Sequence, residues 1–291
     1  MTESFHTDKR QVRRSFDRAA TSYDAAAVLQ REVADRMLSR LELVKLQPQR
    51  VLDAGSGTGY VSGKLRERYA DARLIELDLA PSMLKVSATK GGWLGKLFGK
   101  ANWQVCADLE SIPLAAGSVE MICSSLAIQW LNEPDAAFRE FHRLLKPEGL
   151  LMFSTFGPDT LTELRQAFAS TDDRPHVNRF IDMHDLGDAL VQAGFANPVM
   201  DMEKIVLTYA DIKAVMRDLK SIGAHNVAFG RARGLMGRHA FERAEAAYDK
   251  LRRDGRLPAT FEIVYGHAWK PQPKPGFVDG RQIIEFRPRT K

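Results

Sequence analysis

The chain has 291 residues, 44% of them hydrophobic and 27% charged, with a formal net charge of +5. This length and apolar content exclude intrinsic disorder and a disulfide-stapled mini-protein, and they allow one large domain or one domain with an appendage. The two cysteines, Cys106 and Cys123, lie in apolar runs and read as buried reduced thiols, and with no CxxC or HExxH spacing no bound metal is expected.

In chain order, residues 1–24 are charged throughout, unlike a secretion signal. Val33, Met37, Leu38, Leu41 and Val44 share one helix face, so residues 1–48 read as an amino-terminal helical cap. From residue 50, short apolar runs alternate with helical stretches. Strands are predicted at 50–54, 73–78, 103–107, 121–124 and 150–155, with helices near 60–69, 82–90 and 135–145. Such alternation is the pattern of an α/β fold, a parallel sheet covered by helices. Lys146-Pro147-Glu148-Gly149 ends the third helix and turns the chain into a strand. A helix at 185–193 ends at Gly194, and 199–209 and 261–269 are two further strands. Three pieces interrupt this pattern. Residues 91–100, rich in Gly and Lys with Trp93 and Phe98, read as a surface insert. The second spans 157–181. The third spans 210–258, where Ile212, Val215, Met216, Leu219 and Ile222, then Phe241, Ala244, Tyr248 and Leu251, read as core-facing helical stripes. Residues 270–291 form a basic, Pro-rich tail with a strand candidate at 283–286. No run approaches the roughly 18 apolar residues of a membrane span, and a cytoplasmic location with no membrane partner is expected.

The chemistry centres on Val51-Leu52-Asp53-Ala54-Gly55-Ser56-Gly57-Thr58-Gly59-Tyr60, a strand that enters a glycine-rich turn and opens a helix. The GxGxG spacing of Gly55, Gly57 and Gly59 lets backbone approach a ligand without a Cβ in the way. Tyr60 and Val61 stand where a dinucleotide fingerprint would place its helix-packing glycine. An acid before the glycines, Asp53, suits an ammonium group better than a pyrophosphate. Asp78 ends the next strand, where its carboxylate can accept both ribose hydroxyls. Asp108 follows the third strand and can accept from an adenine amine, with Leu109 against the ring. An ammonium, a ribose and an adenine without phosphates describe S-adenosylmethionine, bound where open α/β sheets bind ligands, at the carboxyl ends of the strands.

With these motifs the sequence resembles the class I S-adenosylmethionine-dependent methyltransferases over about 51–269. Further pieces resemble one group of them, the malonyl-[acyl-carrier protein] O-methyltransferases of biotin synthesis. They are Ser15-Phe16-Asp17-Arg18-Ala19-Ala20-Thr21-Ser22-Tyr23-Asp24, Leu126-Ala127-Ile128-Gln129-Trp130, Thr155-Phe156-Gly157-Pro158-Asp159-Thr160-Leu161, the run from Arg174 to Phe180, and Leu219-Lys220-Ser221-Ile222-Gly223-Ala224. The resemblance implies a Rossmann-like, mostly parallel sheet whose last strand is antiparallel. One methyltransferase domain would span 49–269, with helical lid insertions at about 157–181 and 210–258. It also implies methyl transfer to the free carboxylate of a malonyl thioester, carried by acyl-carrier protein or coenzyme A, giving an ester that fatty-acid elongation accepts as a primer. The 91–100 insert and the tail lie outside the pattern.

A carboxylate with a pKa near ~4 is already ionised at neutral pH, so no residue is required as a base. A donor must instead hold the acceptor's second oxygen; the candidates are Arg165, Arg174 and Arg179, with Tyr23, His176 and Gln129 as neutral donors. A quinone or phenolic acceptor, the alternative enzyme, would need a base such as His176, His225 or His267, of which the last two read as structural. A non-catalytic nucleotide-binding partner is the alternative of another class. Nucleic acid is not expected as a partner: base-amine methylation usually uses an Asn/Asp-Pro-Pro-aromatic turn, where this chain has Cys123-Ser124-Ser125-Leu126. From Asp211 onward 17 Lys and Arg face 9 Asp and Glu. This excess suits an acidic carrier protein, with Arg231, Arg233, Arg238, Arg252, Arg253 and Arg256 as its expected footprint.

Overall fold

A computed structural model describes residues 7–90, 103–169, 171, 176–224 and 237–273, and the backbone of 277–278 and 281–282. Its strands are β1 (Arg50–Ala54), β2 (Arg73–Asp78), β3 (Trp103–Cys106), β4 (Val119–Ser125), β5 (Leu145–Phe156), β6 (Ala196–Tyr209) and β7 (Leu257–Trp269). They form one sheet in the order β3-β2-β1-β4-β5-β7-β6. The first five are parallel, and β7 is antiparallel to both β5 and β6. Strand order reverses at β1, so β1 and β4 flank the switch point where ligands bind sheets of this kind. A separate antiparallel pair, β8 (Phe277–Val278) and β9 (Arg281–Gln282), lies in the tail.

The helices are α1 (Lys9–Ala19), α2 (Tyr23–Ala26), α3 (Val28–Ser39), α4 (Tyr60–Arg68), α5 (Pro81–Lys90), α6 (Pro134–Leu144), α7 (Thr162–Ala169), α8 (Met183–Gln192), α9 (Ile212–Ser221) and α10 (Arg238–Asp249). Side-chain alternation along the strands sends residues to opposite faces. Val51, Met121, Cys123, Leu150 and Met152 pack with α3, α4, α7, α9 and α10. Leu52, Ile122, Leu151 and Phe153 pack on the other face with Phe138 and Phe141 of α6 and Leu186 and Leu190 of α8. The apolar stripes at helical spacing thus become buried faces, with Val33, Met37 and Leu41 fully enclosed.

Several boundaries move for physical reasons. The run 146–149 lies inside β5 instead of before it: Glu148 takes φ +64°, its N–H donates to the Lys270 carbonyl, and the β4–β5 register shifts beside it. The long-range pairing captures what the local Pro-Glu-Gly signal marks as a turn. β6 begins at Ala196 and β7 at Leu257, earlier than hydropathy suggests, because antiparallel pairing runs from Ala196↔Trp269 to Tyr209↔Leu257. Cys123 is buried as expected, but Cys106 is exposed on the short strand β3. Met216 also departs from its stripe and faces solvent on α9. The 91–100 insert and the 283–286 strand candidate lie outside the described residues.

The amino-terminal helix α3 shares a core with β4 and β5, so its removal should be felt globally. Met37→Ala is expected to cost about 2–5 kcal/mol, the range for emptying a fully buried methionine site. Urea unfolding would show this as a lowered midpoint in a single transition; a loss near zero would make α3 peripheral.

Candidate active site

The turn after β1 is anchored on β2. The N–H groups of Gly55 and Ser56 both donate to the Leu77 carbonyl, at 2.8 and 3.0 Å, and the Gly57 N–H donates to Oδ2 of Asp78 at 2.8 Å. Gly55 and Gly59 both take φ +81°. A Cβ on Gly55 would stand 2.3 Å from Cβ of Ala127, and one on Gly59 would stand 2.1 Å from Oγ of Ser87. Positive φ and close approach therefore both demand glycine at these two positions. A Cβ on Gly57 would meet nothing within 4 Å, so the loop is open there. The Ser56 hydroxyl is buried in this loop without a hydrogen-bond partner in the structure.

Three carboxylates lie beneath the loop. Asp53 is fully buried and accepts from the Ser62 hydroxyl at 2.7 Å, so it sits under the turn and not on its open side. Glu76 is equally buried and accepts from Ser87 and Gln104, each at 2.8 Å. Asp78 accepts from the Ala80 N–H at 2.7 Å as well as from Gly57. Burial pushes the Asp53 carboxyl up to about 7, against the Ser62 hydrogen bond and with the charges of Glu76 and Asp78 adding to the rise. Burial likewise pushes Asp78 up to about 6, with Asp17 adding to it. A site that strains to keep carboxylates ionised suits a ligand that brings positive charge, as the sulfonium and ammonium of S-adenosylmethionine do.

Asp108 has a partner that its place after β3 does not reveal. Its Oδ1 accepts from Nζ of Lys9 on α1 at 2.9 Å and from the Glu110 N–H at 3.1 Å. Leu109 is buried, with Cδ1 4.0 Å from the Cβ position of Gly55. Lys9 is one of several ties between the amino-terminal helices and the loops. Asp17 accepts from the Ser82 N–H at 2.9 Å and so caps α5 from outside. Asp24 accepts from the Thr58 hydroxyl at 2.6 Å, inside the glycine turn, and pairs with Lys90 at 2.6 Å. Phe16 packs edge-on to Trp130 with centroids 5.4 Å apart, and it lies 3.1 Å from where a Cβ on Gly223 would stand. Tyr23 packs in the same small cluster as Ala80 and Met83. Burial, then the charges of Asp78 and Asp24, raise its phenol well above the usual range. Tyr23 thus stands beside Asp78 and the start of α5.

Beside this lies a cavity of about 70 Å³, walled by Trp130, Phe156, Thr160, Leu164, His176, Val177, Asn178, Phe180, Ile222 and Ala224 among others. Of the acceptor-side candidates among the described residues, only His176 lines it, stacked on Phe168 with centroids 4.7 Å apart. Gln129 is bound on both sides, donating to the Leu126 carbonyl at 2.7 Å and accepting from Thr155 at 3.2 Å. Arg165 donates to the carbonyls of Pro158 and Thr160, at 3.0 and 3.1 Å, and so braces the loop that carries Thr160. Burial lowers its pKa, opposed by Asp159, and the nearby Arg179 lowers it further. Arg174 lies outside the described residues. Asn178, which the sequence offers only as one polar residue in a motif, has a buried Oδ1 without a partner in the structure and faces the cavity. His267 pairs in register with Met152, well below the end of β5, and is half-buried; it is structural. His225 lies outside the described residues.

A methyltransferase-domain family model matches residues 52–153. The chain is 66% identical to the malonyl-[acyl-carrier protein] O-methyltransferase of Laribacter hongkongensis, covering 100% of this chain and 99% of the relative. The chain belongs to the malonyl-[acyl-carrier protein] O-methyltransferase family. Other members are 59% identical in Gallionella capsiferriformans, over 97% of both chains, and 39% identical in Coxiella burnetii, over 91% of this chain and 89% of that one. Among solved structures, a Haemonchus contortus phosphoethanolamine N-methyltransferase superposes with a TM-score of 0.55 at 17% identity, over 88% of this chain and 57% of that one. The cyclase SpnF superposes with a TM-score of 0.51 at 21% identity, over 83% and 81%. These two show the class I methyltransferase fold, and their different titles show how little the fold alone says of the reaction. As a member of this family, the chain uses S-adenosylmethionine.

The two raised carboxyls generate a pH dependence. Both titrate higher in the folded chain than in the unfolded one, so the folded state holds more protons between about pH 4 and about pH 7, and stability falls as pH rises through that window. A cationic cofactor favours the ionised carboxylates, so its affinity rises over the same window. Calorimetry with S-adenosylmethionine should show binding tighten severalfold from about pH 5.5 to about pH 8. At neutral pH, Asp78→Ala should weaken binding by about 1–3 kcal/mol. Affinity unchanged by pH and by the substitution would remove Asp78 from the cofactor site.

Proposed function

We infer that this chain transfers the methyl group of S-adenosylmethionine to the free carboxylate of a malonyl thioester, in the manner of the family to which it belongs. One observation carries the reading to a place in the molecule. Four motif segments far apart in sequence, around Trp130, Phe156–Leu161, His176–Phe180 and Leu219–Ala224, together wall one cavity. A fifth, around Phe16, braces it from outside through Trp130 and Gly223.

When bound, the cofactor supplies an electrophilic methyl on a sulfonium. The malonyl carboxylate arrives ionised, so the chain needs no general base, and its work is positioning and exclusion of water. Phe156, Leu161, Leu164, Val177 and Phe180 make the cavity wall apolar, which keeps the nucleophile poorly solvated. Asn178 is the donor we assign to the second carboxylate oxygen, because a half-turn of its amide presents N–H to the cavity. His176 and Thr160 stand in the same wall. Arg165 and Arg179 act from behind it: a positive potential attracts the carboxylate, without the tight pair that would quench its attack. Tyr23 and Gln129 hold the cofactor side and the Leu126 turn.

The substrate class also calls for a carrier. The basic lid supports an acidic one, although its arginines divide by what they touch. Arg238 pairs with Glu242 at 2.8 Å. Arg252 is taken up by Asp249 and by the Ala210 and Gly255 carbonyls, and Arg256 donates to Thr208. Arg253 is exposed. Arg231 and Arg233 lie outside the described residues. No helix among the described residues is long and apolar enough to cross a membrane.

Formation of S-adenosylhomocysteine from malonyl-carrier protein or malonyl-CoA tests the reading directly. No product from either, with turnover of a quinone precursor, would overturn it. Asn178→Ala should raise the acceptor KM about tenfold while sparing cofactor affinity, a cost of about 1–2 kcal/mol for a lost hydrogen bond to a charge; an unchanged KM removes Asn178 from the pocket. Turnover of the carrier-bound substrate, but not of a short thioester, should fall steeply with salt; equal salt sensitivity would return the basic charge to ordinary solvated surface.

A further inference from the structure

A second, larger cleft of about 420 Å³ lies against the acceptor cavity. One side is the start of α3, with Val28, Leu29 and Gln30; another is Val206, Leu207 and Thr208 of β6; the third is α9, with Asp218, Leu219 and Ile222. Leu219, Ile222 and Phe261 line both hollows, so a single layer of side chains divides the cleft from the cavity. β6 ends the sheet, and an edge strand presents unpaired N–H and C=O groups along its free side. Gln30, at the cleft, has a buried Oε1 without a partner in the structure. The outer face of α9 exposes Lys213, Met216, Arg217 and Lys220, a basic stripe around an apolar centre, at helical spacing.

We propose that the carrier protein docks on the outer face of α9 and threads its phosphopantetheine arm along this cleft, so that the thioester reaches the acceptor cavity past Leu219, Ile222 and Phe261. The inference rests on the malonyl-thioester reading above and adds the route and the docking face. The chemistry matches along the length. The root of the arm is a phosphate on an acidic protein, and it meets Lys213, Arg217 and Lys220. Its two amides can use the free edge of β6 and the unpartnered Gln30 oxygen, which accepts an N–H. Its methyl groups lie against Val28, Leu29 and Leu207. Met216, exposed among the cations, gives the carrier an apolar contact, the arrangement of a small interface with a charged rim. The cleft falls within the roughly 300–1,000 Å³ of ligand sites. It also accounts for the exposure of Met216 and Val28, two apolar residues that the core does not use.

Two variants and one independent measurement test this. Val28→Trp fills the cleft from an exposed position at the start of α3. It should lower kcat/KM on malonyl-pantetheine, relative to the armless S-methyl malonyl thioester, by about tenfold or more. The triple variant Lys213→Glu, Arg217→Glu, Lys220→Glu should lower kcat/KM on the malonyl-carrier, relative to malonyl-pantetheine, by a similar factor. Ratios that stay within about twofold, well under a tenfold step of ~1.4 kcal/mol, would overturn the route or the docking face respectively. Binding of the holo-carrier without malonate, titrated calorimetrically into the S-adenosylhomocysteine complex, needs no turnover. It should be seen with the native chain and weakened about tenfold in both variants. If the native chain methylates no malonyl thioester, the functional reading fails, and the titration still decides the cleft: absent or unaltered binding overturns it.

Discussion

The ligand edge depends on how closely the turn after β1 can approach its neighbours. Gly55 presses on Ala127, Gly59 presses on Ser87, and the amides between them are held by Leu77 and Asp78. Because these contacts leave no room for a Cβ, the turn is clamped between β2, α5 and the segment after β4, and its open side at Gly57 is fixed in place. The same closeness buries Asp53 and Glu76 and half-buries Asp78 beside them. Desolvation and mutual repulsion then make the site costly until a cation arrives. Stability is traded locally for affinity toward one charge type, as functional sites commonly do.

Around that fixed turn, specificity is assembled from segments that the sheet topology returns to one edge. β5 ends at the edge of the sheet that carries the glycine turn and leads into the segment with Thr160, Arg165, His176 and Asn178. Antiparallel β7 brings the segment with α9 and α10 back to the same edge. The amino-terminal helices close the remaining side through Lys9–Asp108, Asp17–Ser82 and Asp24–Thr58. Phe16 stands where cap, loop and second lid meet, against Trp130 and Gly223.

The charges of the second lid divide by what they touch. Arg252 and Arg256 are spent on carbonyls and hydroxyls that shape the turn before β7. Lys213, Arg217 and Lys220 reach solvent on α9. A count of basic residues registers both groups alike, although only the second can meet an acidic partner without breaking the fold.

Sequence alone determined the presence and order of β1 to β7, though not the starts of β5, β6 and β7, together with the glycine turn and the acid at the end of β2, because each rests on a period or spacing within a few residues. It determined the reaction class as well, since the motif segments are individually distinctive. Tertiary structure decided what each polar side chain serves. Asp53 lies under the turn against Ser62, Asp108 is shared with Lys9, Gln129 and Arg165 brace carbonyls, and Asn178 faces the cavity. It also decided that Cys106 and Met216 are exposed and that residues 146–149 belong to a strand. The physical reason is common to all of these. A hydrogen bond or a buried face depends on which distant residue the fold brings within about 3–4 Å, and local composition carries no record of that distance.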